Sequence, residues 1–132
     1  MKNKYVFDSS FLSSLFYETD INHEKAIKVF SELPSGSLFL IPATVYIEML
    51  VGLKRFPWFR DEKFYQFISS INVEFVFIDN KFLRRYERFL NKRIAKLKAI
   101  DSTVLFTARE NQAGILTFDK KLQKYSNQKY KI

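Results

Sequence analysis

The chain has 132 residues, 47% of them hydrophobic, with 15 Phe but only 3 Gly and 3 Pro. That is enough for one folded domain over 1–132 with a real core and little linker. The absence of Cys excludes disulfides and thiolate metal sites and fits a reducing cytoplasm, while a net charge of +8 favours a polyanionic partner, nucleic acid before an anionic membrane.

No apolar run approaches the ~18 residues of a membrane span. The basic start Met1–Lys4 leads into an apolar run that Asp8 interrupts, and no small-residue cleavage site follows, which reads against a signal peptide. Tyr5-Val6-Phe7 is a short β-favouring run that delivers Asp8 to its carboxyl end, and Ser9-Ser10 then opens a helix. Phe11, Leu12, Leu15 and Phe16 repeat at helical spacing, with Ser or Asp as the cap. Asp20-Ile21-Asn22 breaks the pattern, and a second helix over about 22–33 completes a helical hairpin in which His23 reads as an ordinary surface residue. Pro34-Ser35-Gly36-Ser37 is a turn. Leu38–Ile41 reads as a strand buried on both faces.

Pro42 suits the first turn of the helix that follows, near Ala43–Arg55. Its Glu48 has Val45, Val51 and Gly52 at neighbouring turns, so it is expected on the apolar side and in need of a partner. Phe56–Arg60 is an aromatic loop, expected to pack within the chain or to serve as a partner contact, with Trp58 in a core or interface role. A helix carrying Phe64, Phe67, Ile68 and Ile71 leads to a strand over Val73–Ile78, closed by Asp79-Asn80 as a cap. The next helix turns Phe82, Tyr86, Phe89 and Leu90 inward and Lys81, Arg85, Arg88 and Lys92 outward.

Ala99–Asn111 is a helix with Asp101 near its start and Gly114 at the stop position. Ile115–Phe118 is an apolar strand that delivers Asp119, as the first strand delivers Asp8. A short basic helix and a last strand near 129–132 finish the chain. Strands alternating with helices give a mostly parallel sheet of 4–5 strands. Asp8 and Asp119 then share the carboxyl edge, where such sheets place ligands, and Asp101 reaches it if its helix begins there.

Asp8, Asp101 and Asp119 each stand where a helix cap is wanted, so capping is the plain alternative for every one of them. Converging carboxylates raise one another's pKa unless a cation neutralises them. An oxygen-only donor set favours Mg2+ or Mn2+, and two such ions can activate water for phosphodiester hydrolysis. Residues 81–98 carry eight Lys and Arg against only Glu87 and give the candidate nucleic-acid contacts Arg85, Arg88, Lys92, Lys96 and Lys98; a solvated face is the alternative.

Val6-Phe7-Asp8-Ser9-Ser10, Pro42 through Glu48, Ala99-Ile100-Asp101-Ser102 and Leu116-Thr117-Phe118-Asp119 resemble, in order, the four signatures of PIN-domain nucleases. The size resembles that of VapC-type toxins of toxin–antitoxin pairs. The resemblance implies a three-layer α/β/α fold and a Mg2+- or Mn2+-dependent endoribonuclease, with Asp8, Glu48, Asp101 and Asp119 as the catalytic and metal-binding acids. It also implies that Ser9 and Thr117 orient those acids, that the protein is a homodimer, and that an antitoxin segment lies across the groove. Thr103-Val104-Leu105-Phe106 departs from the Gly and Ala common there in the family and leaves the groove's shape open.

A receiver domain would want paired acids after the first strand, and a haloacid-dehalogenase-type phosphatase would want Asp where Ser10 stands. An RNA-processing nuclease without an antitoxin and a non-catalytic basic RNA-binding domain remain the alternatives.

Overall fold

The computed structural model describes residues 3–56 and 61–126. Four strands form one sheet: β1 (Lys4–Phe7), β2 (Leu38–Pro42), β3 (Val73–Val76) and β4 (Gly114–Leu116). Their order is β3-β2-β1-β4 and every pairing is parallel. The helices are α1 (Ser9–Phe16), α2 (His23–Ser31), α3 (Ala43–Arg55), α4 (Asp61–Ser70), α5 (Asn80–Phe89), α6 (Ala99–Asn111) and α7 (Lys120–Gln123), with a single tight helical turn at Ile94–Lys96. This is the expected three-layer α/β/α arrangement. The expected last strand near 129–132 and most of the aromatic loop, Trp58 included, lie outside the described residues.

Parallel register places Tyr5 beside Phe39 and Val6 beside Leu40. Side chains alternate across the sheet, so Tyr5, Phe7 and Phe39 share one face. On that face Phe7 stacks on Phe11 of α1, Phe30 of α2 and Phe39, and tilts against Phe67 of α4. The opposite face carries Val6, Leu40 and Ile115, all buried, and α6 packs across β1, β2 and β4. Both faces are covered, which is why the strands read as unbroken apolar runs.

Several local expectations shift. The third strand stops at Val76, leaving Phe77 and Ile78 exposed. Leu90, expected inside, is 43% exposed because α5 ends at Phe89 and the chain turns away. Gly114 does not stop α6; it opens β4, and Gln112 takes the left-handed position with φ 52°. Gln is neither Gly nor Asn, so this helix end carries a local backbone cost. Gly36, with φ 78°, serves the turn before β2. His23 is half-buried, and its Nδ1 lies 2.7 Å from the Ser14 carbonyl oxygen, tying the start of α2 to α1.

Candidate active site

Asp8 follows β1 directly, and its N–H continues the ladder by donating to the Leu116 carbonyl at 3.0 Å. That bond sets Asp8 beside the segment joining β4 to α7. The residue is only 2% exposed. Its Oδ2 accepts from Thr117 Oγ1 at 2.6 Å and from Ser10 Oγ at 2.8 Å. Each hydroxyl also accepts a backbone N–H, Ser10 from Phe118 at 3.1 Å and Thr117 from Asp119 at 3.0 Å. Asp8 and Asp119 are thereby held in one network. The other oxygen, Oδ1, is buried without a well-formed hydrogen bond. Burial pushes the Asp8 carboxyl up; the bonds from Thr117 and Ser10 and the nearby Ser9 N–H oppose the rise, and the Asp119 charge adds to it.

Capping separates the three aspartates. Asp8 stands at the N-cap of α1 but makes no side-chain cap bond. Asp101 is in the first turn of α6, whose N-cap is Lys98, and that helix has no side-chain cap bond. Asp119 does cap: one oxygen accepts from the Lys121 and Leu122 amides at 2.8 and 3.1 Å. Asp79 caps α5 as expected, accepting from the Phe82 N–H.

Asp101 carries the largest shift among the acids. Burial first, and then the charges of Asp8, Asp119 and Glu48, push its carboxyl up to about 6, against a smaller pull from Lys98. Glu48 is also raised, by partial burial and the Asp8 charge, while a hydrogen bond from the Ser9 side chain and the Lys98 charge oppose the rise. Its expected place on an apolar, buried side of the helix is corrected by the structure. Glu48 is exposed, and its neighbours Ile47 and Val51 are 59% and 48% exposed. Helix α3 turns that side outward, where the Ser9 side chain bonds the carboxylate and Lys98 lies within electrostatic reach.

Asp101 therefore lies within electrostatic reach of the other three expected acids at the carboxyl edge. Among the described residues, however, no three His or acidic side chains stand close enough to hold one ion outright. Four like charges at short range keep apart unless a cation draws them in. The donor set still fits a hard divalent ion, being all oxygen and including the unpartnered Asp8 Oδ1.

Ser9 and Thr117 were both expected to orient acids; the structure gives Ser9 to Glu48 and Thr117 to Asp8. Sequence reasoning missed Ser10, although a hydroxyl two residues beyond an acid is a familiar local bonding pattern. It also missed Thr44 Oγ1, 3.1 Å from Thr103 Oγ1, which joins α3 to α6, the helices that carry Glu48 and Asp101. No local pattern announces that bond.

The PIN domain family matches residues 5–128. The chain belongs to the PIN-domain family. Its fold is similar to that of VapC20 of Mycobacterium tuberculosis, described as a toxin that cleaves the sarcin–ricin loop. That match has a TM-score of 0.72 at 16% identity and covers 91% of this chain and 93% of VapC20. A toxin–antitoxin complex from Klebsiella pneumoniae gives a TM-score of 0.67 at 21% identity, covering 89% of this chain and 88% of that one. No sequence among curated proteins matches the chain.

Within this PIN domain the candidate nucleic-acid residues are not equivalent. Lys98 acts electrostatically on Glu48 and Asp101, at the site itself. Lys96 belongs to the tight turn just before α6. Arg85 donates to Glu110 at 2.7 Å in an exposed ion pair. Arg88 and Lys92 are exposed near the end of α5. Among the described residues no helix is long and apolar enough to cross a membrane.

Proposed function

We propose that the chain is a divalent-metal-dependent endoribonuclease acting as the toxin of a VapBC-type toxin–antitoxin pair. The observation that carries the reading is that the charges of Asp8, Glu48 and Asp119 all reach Asp101 at one sheet edge of a PIN domain. Mg2+ or Mn2+, held by these acids, would supply an activated water and neutralise charge on the leaving oxygen.

The chain's own residues prepare that site. Ser10 and Thr117 occupy Oδ2 of Asp8, so Oδ1 is the oxygen with coordination capacity to spare. Ser9 steadies Glu48, and Lys98 offsets part of the negative charge. Without a cation Asp101 is raised to about 6 by burial and its acidic neighbours; a divalent ion held beside it would lower that value and keep the carboxylate ionised, able to orient the attacking water.

The toxin assignment draws on the fold shared with VapC20 and with the Klebsiella complex, the second of which also supports an antitoxin partner. Homodimerisation and a cytoplasmic setting belong to the same reading, and light scattering of the purified protein tests the first. A basic RNA-binding domain without catalysis would have no use for a buried carboxylate with an unpartnered oxygen.

The deciding experiment is RNA cleavage by highly purified protein with Mg2+ or Mn2+, against EDTA and the Asp8→Asn and Asp101→Asn variants. Activity should vanish in EDTA and fall by at least about 100-fold in each variant. Cleavage that persists unchanged in the variants comes from a contaminant and ends the nuclease assignment. Growth arrest on expression, relieved by Asp101→Asn, separates a toxin from an RNA-processing enzyme.

A further inference from the structure

We propose that a single RNA strand leaves the acids along a ridge formed by the 94–96 turn and α7, with its phosphates on Lys98, Lys96, Lys121 and Arg93. This inference rests on the nuclease reading, since the ridge begins at the acids and continues away from them.

The ridge is assembled from contacts between two segments distant in sequence. Lys98 stands at the start of α6, three residues before Asp101. Lys121 Nζ donates to the Lys96 carbonyl at 2.7 Å, joining α7 to the tight turn. Further along, Tyr125 Oη donates to the Arg93 carbonyl at 2.9 Å, and the Arg93 guanidinium lies 4.8 Å from the Tyr125 ring centre. Arg109 donates to the Tyr125 carbonyl at 3.4 Å and secures the far end.

What sets these cations apart is the neutrality of their partners. Lys121 meets a backbone carbonyl and Arg93 meets a ring, so neither positive charge is cancelled. Among the described residues no carboxylate forms a salt bridge with any of the four. Residues 88–100 and 120–126 contain no acid at all. The outer face of α5 is different, because Arg85 is bound by Glu110 and Glu87 lies on the same helix. Lys98 at the near end faces Glu48 and Asp101, but Lys96, Lys121 and Arg93 beyond it have no such counter-charge, and an external polyanion relieves their mutual repulsion. Cations carried on two paired segments, 93–98 and 121–125, suit one phosphodiester backbone better than the two strands of a duplex.

The test uses the Asp101→Asn protein, which should bind RNA without cutting it, and a short fluorescein-labelled single-stranded RNA titrated between about 50 and about 200 mM KCl. Lys96→Gln, Lys121→Gln and Arg93→Gln should each reduce the slope of log K against log salt by about 0.7, the value for one phosphate contact on a single strand. Lys96→Arg should restore it, and Lys81→Gln and Arg84→Gln on α5 should leave it in place. Matching thermal melts show that the variants are folded. The proposal is overturned if the ridge variants keep the parent slope, if the α5 variants lose as much, if a duplex of the same sequence binds more tightly, or if no RNA binds. A wild-type protein that never cleaves RNA, alongside ridge-dependent slopes, ends the nuclease reading and leaves the ridge standing. Cleavage with unaltered slopes does the reverse.

Discussion

Two hydroxyls, Ser10 and Thr117, converge on one oxygen of Asp8 in a buried setting. Removing either leaves that carboxylate short of a donor where water cannot replace it. Ser10→Ala and Thr117→Val should each cost about 1–3 kcal/mol, measured by urea denaturation. Asp101 gives a prediction in pH. Its folded-state pKa of about 6 lies above the ordinary 3.8, so the folded form holds its proton more tightly than the unfolded chain. Its contribution to stability is therefore fully present below about 3.8 and is lost as pH rises through about 6. In EDTA, the melting temperature of wild type should fall across that window relative to Asp101→Asn. At pH 7.5 the variant should melt roughly 2–5 °C higher, the effect being modest because the carboxyl is only partly buried. Added Mn2+ should stabilise wild type and leave the variant nearly unmoved. A variant that melts lower in EDTA at pH 7.5 would mean that Asp101 is a structural anion.

Among the elements, α7 depends on a residue with two duties. Asp119 caps this helix and also adds its charge to the site. Asp119→Asn keeps a good cap and removes the charge, whereas Asp119→Ala removes both. The Asn variant should retain wild-type stability with reduced cleavage, and the Ala variant should lose about 1 kcal/mol as well. The Thr44–Thr103 bond between α3 and α6 calls for a double-mutant cycle. Thr44→Val and Thr103→Val should be non-additive, with a coupling of about 0.5–1.5 kcal/mol, because both remove the same hydrogen bond. Additive losses would mean that the two hydroxyls act separately. Most elements could be read from periodicity, the alternation of strands and helices above all. The errors fall at element ends: Leu90, Gln112 and the stop at Val76 depend on where the chain turns, which short-range patterns hardly encode.

For the molecule as a whole, Phe7 is the junction. It packs against α1, α2, β2 and α4 at once, so its loss is felt in every element on that side of the sheet. Phe7→Ala should cost about 3–5 kcal/mol. A domain of this size has only ~5–15 kcal/mol of stability, so the variant should melt far below wild type while still unfolding in one step. Separate transitions for the helical layer and the sheet would argue against a single core.

The residues themselves determined which side chains are acidic, that the first and last strands would each deliver one, and that a parallel sheet would place Asp8 and Asp119 on one edge. Those outcomes follow from local rules: the period of the strand, the hand of the crossover, and a net charge that needs no coordinates. Packing decided the rest. It made Asp119 a cap while leaving Asp8 and Asp101 free of that duty, left Glu48 exposed, and gave Ser10 and Thr103 partners 107 and 59 residues away. Hydrogen bonds and charge couplings depend on distance in space, and spacing along the chain does not contain that distance until the chain has folded.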